Sequence, residues 1–462
     1  MMSEFILFEI KRILKSTKYW FVVLIVLLFG IITLQEYQNK QASIYETPAG
    51  YNEIMKISSQ AQLNVLQIFQ EDPTKWGYFP NFPEDKQVTA KILYEDLFAK
   101  TNIMANGLLE KDWVKVNEIM AYQSYVDLNE HLENELTNET QGVITKYYGL
   151  YHELKAIQSK YQYPKWVIIP AGIEKDQQEY SITAMQKFRY YKWLKDINHA
   201  PLDRYSMNSV TFIYHFMNHY LPLIMAILIY VLLYDIVVKD YENGTLKNLY
   251  AQPSNRMKLI GGKIIAGLCC SLLAILLPIL GISLVYGILT NFNSMNYPVL
   301  IQQNTFRSLR GIENTLPFDQ KFWNNTWSLG ISLFSKFPKH LQVGGMDLSL
   351  QLVSLWQFLV YAVVVMTLYI LFIVMLNVFV SAIVKQKILA MLLPMVVILV
   401  GMGLTATEFR VFSVLNPFRY ANPIAILGGV GSVTTLMTVL VLGGYCLLLY
   451  GATSYFVRKK DI

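Results

Sequence analysis

Residues 358–384, FLVYAVVVMTLYILFIVMLNVFVSAIV, form a continuous apolar run that decides the fold of this 462-residue chain. A helix needs about 20 apolar residues to cross the hydrocarbon core of a bilayer, so this run is long enough to span a membrane. Five further runs have the same character and lie at residues 19–34, 220–238, 264–289, 388–407 and 433–457. Because 53% of the residues are apolar and only 16% are charged, the composition excludes an ordinary soluble enzyme. We therefore predict an α-helical integral membrane protein with six transmembrane helices.

The first run, residues 19–34, is the shortest and also fits a secretory signal peptide, since basic residues precede it. Its apolar stretch is longer than a normal signal core. The residues that follow, Gln35-Glu36-Tyr37-Gln38, offer no small-residue cleavage site. A retained helix is therefore favoured over a cleaved signal.

Basic residues in the short connections fall on one side of a six-helix topology, at residues 11–18, 239–258, 385–387 and 458–460. Cytoplasmic connections carry such an excess of Lys and Arg, so we expect both termini in the cytoplasm. The chain has 39 basic and 33 acidic residues, and 18 of the basic and 23 of the acidic residues lie between residues 35 and 208. The positive charge behind the net value of +6 therefore lies in the rest of the chain, where it reflects membrane topology, and no nucleic-acid partner is predicted. Low cysteine usage and this charge placement suit a bacterial plasma membrane.

The organisation of the chain follows from these runs. An N-terminal cytoplasmic interfacial helix is predicted at residues 1–18, where Ile6, Ile10 and Ile13 share one face. The transmembrane helices with their flanking turns are predicted at 19–34, 209–238, 258–290, 351–384, 388–407 and 433–457. A large, mostly helical extracytoplasmic domain is predicted at 35–208. The other outer connections are 291–350 and 408–432, and the cytoplasmic ones are 239–257, 385–387 and the tail 458–462.

The cytoplasmic connection at residues 240–256, DYENGTLKNLYAQPSNR, is the most informative segment. Asn243-Gly244 predicts a tight turn, after which Thr245 can cap a short helix that Pro253 ends. Leu246, Leu249 and Tyr250 then share one face of that helix. A two-turn amphipathic helix just below the membrane is suited to docking in a groove on another protein.

This segment resembles the permeases of the type-2 family of ATP-binding-cassette exporters. The family pattern has an acidic residue, Gly-Thr-Leu, a leucine-bearing turn, Pro, a small polar residue, Arg and a later Lys. The matching positions are Glu242, Gly244, Thr245, Leu246, Leu249, Pro253, Ser254, Arg256 and Lys263. The chain departs from the pattern at Tyr250, where Leu is usual, and at Asn255. The resemblance extends to Ser381, Lys385, Asn416-Pro417-Phe418 and the basic C-terminus, but not to residues 35–208.

The resemblance implies that Thr245 to Ala251 is a coupling helix that contacts a separate ATPase subunit. It also implies a second permease, identical or related, because six spans are half a transport unit in this family. ATP and magnesium would be bound by the partner, and no cofactor by this chain. The chain lacks a Gly-x-x-x-x-Gly-Lys-Ser/Thr loop, and Gly261-Gly262-Lys263-Ile264 lacks both the first glycine and the hydroxyl. We therefore predict a permease subunit that is not itself an enzyme.

The remaining polar residues carry weaker signals. His215 and His219 lie one helical turn apart, but without a third ligand they favour a polar interfacial face over a metal site. Asp235 is expected to pair with Lys239 one turn on. Asn377 could either contact substrate along the transport pathway or form a hydrogen bond between packed helices, and the hydrogen bond is favoured. The three cysteines, Cys269, Cys270 and Cys446, all lie in predicted helices and are expected to be packing residues.

Three functions remain open from the sequence. The first is export of a hydrophobic or amphipathic substrate, such as an antimicrobial peptide or a drug-like molecule, powered by the partner ATPase. The second is extrusion of a glycolipid or a wall polymer. The third belongs to another class, a sensor or scaffold in which the outer domain binds an envelope ligand without transport. A hydrolase is unsupported, because no nucleophile motif such as Gly-x-Ser-x-Gly occurs in the chain.

Overall fold

The structure is a computed structural model. It describes residues 2–41, 107, 110–118, 120–121, 189–202, 206–244, 256–290, 292–302, 306, 350–405, 414–428 and 433–459. Most of the predicted extracytoplasmic domain and residues 245–255 lie outside this set.

The described chain is almost entirely helical. Its main helices are α1 (Met2–Leu14), α2 (Thr17–Gln41), α3 (Ser209–His219), α4 (Leu221–Leu233), α5 (Val238–Glu242), α6 (Arg256–Thr290), α7 (Leu355–Ile383), α8 (Lys387–Thr405), α9 (Pro423–Leu427) and α10 (Thr435–Lys459), and residues 113–118 and 189–196 are also helical. Two strands, β1 (Pro298–Gln302) and β2 (Leu350–Ser354), lie between α6 and α7. Within the described residues, six helical stretches are long and apolar enough to cross a membrane. The chain is therefore an α-helical membrane protein.

Helices α4 and α7 form the centre of the bundle. In the most apolar stretches of residues 221–242 and of α7, 67% and 61% of the residues are buried, against 17% and 22% in α8 and α10. Helix α7 packs against α4, α6 and α10. Its sequence is apolar on all sides, which is typical of a helix surrounded by other helices. Helices α8 and α10 instead direct most of their apolar surface outward.

The predicted second transmembrane segment, residues 209–238, is divided into two helices. Asn208 caps α3, because its Oδ1 accepts hydrogen bonds from the backbone N–H groups of Val210 and Thr211. The helix ends at His219, and after Tyr220 helix α4 begins at Leu221, with Pro222 in its first turn. A proline is tolerated there because the first N–H groups of a helix have no partner within it.

Strands β1 and β2 pair antiparallel, with Pro298 opposite Ser354. The apolar run predicts one transmembrane segment at residues 351–384, whereas α7 begins at Leu355. Ser354 precedes it as the N-cap residue, and its backbone N–H donates to Gln357 Oε1 at 3.3 Å. The strands are five residues each, too short for their alternation to stand out from the neighbouring apolar run.

A group of uncharged polar residues, which we call the outer junction, ties the outer connections to the helix ends. It consists of Tyr190, His199, Asn208, Ser294 and Tyr297. The hydroxyl of Tyr297 accepts a hydrogen bond from Leu202 N at 2.9 Å and lies against the hydroxyl of Tyr190. Ser294 Oγ bonds to Asn208 Nδ2 at 2.7 Å and to His199 Nε2 at 3.2 Å. The residues before α3 are thereby fixed to those after α6.

The predicted outer loop at 408–432 contains a folded turn. A 3₁₀ helix at Pro417–Ala421 is followed by α9, and both carry buried side chains. The ring of Phe418 packs where a side chain on Gly401 would stand, since a Cβ there would lie 2.1 Å from it. Asn422 Nδ2 donates to Asn218 O at 3.1 Å. The turn therefore packs back onto the helices.

Candidate functional site

The short helix α5 leads directly into the predicted coupling segment and lies next to a buried group of charges. We call Glu9, Arg12, Asp240 and Lys263 the charge cluster. Glu9 and Arg12 belong to α1, Asp240 to α5, and Lys263 to α6. The cluster holds two carboxylates and two cations, so its formal charge is zero. Because its members lie on α1, α5 and α6, the cluster joins the N-terminal helix to the two helices that flank residues 245–255.

Lys263 is the most enclosed cation of the cluster, with a side chain only 2% exposed. Its Nζ lies 2.8 Å from Glu9 Oε1 and 2.5 Å from Asp240 Oδ2. It also donates to the carbonyl oxygen of Ile236 at 3.1 Å. An ammonium group has three N–H donors, so each of them has an acceptor here. Full pairing of this kind is what makes a buried charge tolerable.

Arg12 completes the cluster from its solvent-facing side. Its Nη1 lies 2.5 Å from Asp240 Oδ1, and its Nη2 lies 2.7 Å from Glu9 Oε2. Nη2 also donates to Ile236 O at 3.2 Å. Each carboxylate of the cluster therefore contacts both cations, and the four side chains form one closed set of ion pairs.

The carbonyl of Ile236 can accept these bonds because the backbone is not a regular α-helix at this point. Helix α4 ends at Leu233, and the following residues form turns up to α5. Asp240 N donates to Val237 O, one residue short of the α-helical acceptor. Ile236 O is left available to the cations, so the break in the helix helps to build the cluster.

Helix α5 is also held at both ends by neighbouring helices. Ser381 Oγ, on α7, accepts hydrogen bonds from Val237 N at 3.0 Å and Val238 N at 2.9 Å. It therefore satisfies N–H groups at the start of α5, as an N-cap side chain would. At the other end, Glu242 Oε1 accepts from Lys387 N at 3.2 Å, at the start of α8. A carboxylate is favourable at a helix N-terminus, so Glu242 links α5 to α8.

The two ends of the predicted coupling segment have defined surroundings. Gly244 adopts a φ of +72° and its N–H donates to Tyr241 O, which closes a turn after α5. Glycine suits this left-handed backbone conformation. On the far side, Arg256 begins α6, and its Nη1 lies 3.5 Å from Val457 O of α10. The other predicted site residues lie outside the described set: Thr245, Leu246, Leu249, Tyr250, Pro253 and Ser254.

Helix α1 packs along the start of α6. A Cβ on Gly262 would lie 2.8 Å from the ring of Phe5, so the two helices approach closely where the glycine stands. Cys270 Sγ lies 3.9 Å from Ile10 O. The opposite side of α1 is exposed and carries two large apolar side chains, Leu7 and Phe8, beside Lys11. The helix is thus amphipathic, and only one of its faces packs against the bundle.

Two pairings differ from the sequence expectations. Asp235 does not pair with Lys239, since the regular helix ends at Leu233 and the Lys239 side chain is exposed. Its Oδ2 instead lies 2.6 Å from Lys18 Nζ, which also sits 3.8 Å from the ring centroid of Tyr234. Asn377 donates from Nδ2 to Ile373 O of its own helix at 2.8 Å. It is fully buried in the bundle, but this bond does not join two helices.

His215 and His219 both lie on α3. His215 is buried and stacks on Tyr37 with ring centroids 4.1 Å apart, so it does not form an exposed interfacial face. His219 lies farther from the same ring, at 6.0 Å. In the part of the chain that the structure describes, no group of three His, Cys, Asp or Glu could hold a metal ion.

The described residues form a bundle of six apolar helical stretches, with a buried charge cluster beside the connection at residues 245–255, and this arrangement is typical of a multi-pass membrane protein. The family model described as ABC-2 family transporter protein matches residues 6–455. The chain belongs to this family, and it is an ABC-type permease. Membership implies a partner ATPase and a lipid environment. Comparison with curated proteins and with solved structures gives no match.

Proposed function

We propose that this chain is the membrane subunit of an exporter that moves a hydrophobic or amphipathic substrate out of the cell. A separate ATPase subunit would dock on residues 245–251 and supply the energy. The observation that carries the proposal is the position of α5. It directly precedes these residues and is joined by polar contacts to α1, α6, α7 and α8. A force on the docked segment would therefore reach several helices at once.

The mechanism uses two arrangements of the helices. Closure of the ATPase pair on ATP would push the coupling segment, and ATP binding would favour one arrangement over the other. Ser381 and the charge cluster would transmit the displacement to α7 and α6, and Glu242 to α8. Two such permeases, identical or related, would enclose the pathway. The outward-facing apolar surfaces of α8 and α10 are available either to that partner or to lipid.

The proposed location is the plasma membrane, most simply that of a bacterium, with both termini in the cytoplasm. Helix α1 would then lie in the cytoplasmic interface. Its exposed Leu7 and Phe8 would enter the head-group region, and Lys11 would face anionic lipid. The outer junction would connect the helices to the extracytoplasmic domain at residues 35–208.

Two other functions make different predictions. A glycolipid or wall-polymer exporter would hydrolyse ATP faster in the presence of such a lipid, but not with amphipathic peptides. A sensor or scaffold would bind an envelope ligand without moving it across the bilayer. A panel of peptides, drug-like amphiphiles and glycolipids, tested on the ATPase activity of the complex in lipid nanodiscs, separates these classes.

Docking is tested by substituting the apolar face of the coupling segment. Leu249→Asp should reduce co-purification of the ATPase subunit at least tenfold, because it places a charge in the centre of the contact. Asn248→Asp adds the same charge about 100° around the predicted helix from Leu249, away from the face formed by Leu246, Leu249 and Tyr250, and should leave association unchanged. Equal association of both variants with the ATPase would refute docking at this segment.

A further inference from the structure

The charge cluster gives the N-terminal helix a direct connection to the coupling segment. Glu9 and Arg12 are carried by α1, while their partners stand on the two helices on either side of residues 245–255. Asp240 lies four residues before Gly244, and Lys263 lies seven residues after Arg256. Helix α1 is therefore fixed to both ends of the segment on which the ATPase is proposed to dock.

Apolar packing alone already places α1 against α6, through Phe5 at Gly262 and through Ile10. Burying four charges adds a desolvation cost, and buried ion pairs often contribute little net stability. Their best-attested contribution is to select one geometry over others. The cluster is thus suited to fixing the position of α1 relative to α5 and α6 while these helices move.

We propose that Glu9 and Arg12 are positioning residues that make α1 move with the coupling segment when the ATPase closes. This inference rests on the proposed function and adds a second movement that closure of the ATPase would produce. The first movement is that of the membrane-spanning helices. The second is that of α1, whose exposed face with Leu7, Phe8 and Lys11 would shift along the membrane surface.

The sharpest variant removes the connection without leaving an unpaired charge. Glu9→Gln combined with Arg12→Gln takes one acid and one base from α1 and leaves the Lys263–Asp240 pair in place. Glu4→Gln combined with Lys15→Gln is the matched control, since it removes one acid and one base from exposed positions near the same helix. Glu9→Asp combined with Arg12→Lys keeps both charges and tests rescue.

The measurement is the distance between spin labels at Lys11→Cys and Leu447→Cys, in the complex of full-length chain and ATPase subunit in nanodiscs. Both sites are exposed, and the native cysteines are replaced by alanine. The distance is compared without nucleotide and with ATP plus vanadate. We expect a nucleotide-dependent shift in the parent, in the Glu4/Lys15 control and in the conservative variant. We expect its loss in Glu9→Gln/Arg12→Gln.

The inference would be overturned by no shift in the parent complex, or by a full shift in Glu9→Gln/Arg12→Gln. Loss of the shift in the Glu4/Lys15 control would do the same, because the effect would then not depend on the cluster. Failure of the parent chain to bind an ATPase subunit would instead reject the proposed function.

Discussion

The charge cluster and the outer junction both tie distant segments of the chain together, but they use different chemistry. In the charge cluster, four ionised groups join α1, α5 and α6. In the outer junction, uncharged hydroxyl, amide and imidazole groups join the residues before α3 to those after α6. Buried ion pairs cost more to break than neutral hydrogen bonds. We therefore expect separation of α1, α5 and α6 at the charge cluster to cost more free energy than separation of the segments that the outer junction joins.

The largest expected effect follows from breaking the charge cluster. Lys263→Met should lower the free energy of unfolding by about 3–5 kcal/mol, because Glu9 loses a buried partner and the carboxylates outnumber the remaining cation. Denaturation in mixed detergent micelles measures the change. Lys258→Met is the control, since it removes an exposed cation of the same helix and should shift stability by less than about 0.5 kcal/mol. Equal losses of unfolding free energy in the two variants would show that the charge cluster stabilises the fold no more than an exposed lysine does.

A smaller effect is expected at the outer junction. Tyr297→Phe removes the hydroxyl that accepts from Leu202 N, and it should cost about 1–3 kcal/mol because a partly buried N–H loses its acceptor. Unfolding in the same micelles provides the comparison with Lys263→Met. Tyr361→Phe, at an exposed tyrosine, serves as the control. A loss as large as that of Lys263→Met would remove the proposed distinction between the charge cluster and the outer junction.

The smallest expected effect is a pH dependence of the outer junction. Burial lowers the pKa of His199, so the folded protein favours the neutral imidazole. The stability gained in this way is complete above the unfolded-state pKa of about 6.5 and is lost as the pH falls through the lower folded-state pKa. The melting temperature should therefore fall between pH 7.5 and pH 5.5. His199→Gln should flatten that part of the profile, and an unchanged profile would contradict the assignment.

The membrane-spanning helices could be predicted because hydrocarbon imposes a length and composition that a sequence displays directly. Lys263 was also found, as the last position of the family pattern. Its partner Glu9 was not, since it lies 254 residues away and meets Lys263 only after α1 packs on α6. Glu9 did give one signal, an acidic residue among apolar neighbours in a basic segment, but nothing in that pattern identifies a partner.

The local rules failed where the helix was irregular. The spacing of Asp235 and Lys239 predicts an ion pair only if one helix continues through both, and α4 ends at Leu233. The same break frees Ile236 O for Lys263 and Arg12. The pattern of apolar residues does not indicate where the helix ends, because the apolar run continues through the break. The folded turn at Pro417–Ala421 was missed for a related reason, since its burial depends on Gly401 of a different helix.

The central claim is that ATP hydrolysis by a partner drives a substrate through this permease. Its most direct test is a vesicle assay with the chain and its ATPase subunit reconstituted together, using a fluorescent cationic amphipathic peptide as the probe. The account predicts that ATP drives the probe from the ATPase-bearing side to the other side, and that Leu249→Asp abolishes this movement while Asn248→Asp does not. Saturable binding of the probe to the outer side, with no ATP-dependent movement, would contradict the account and favour a sensor.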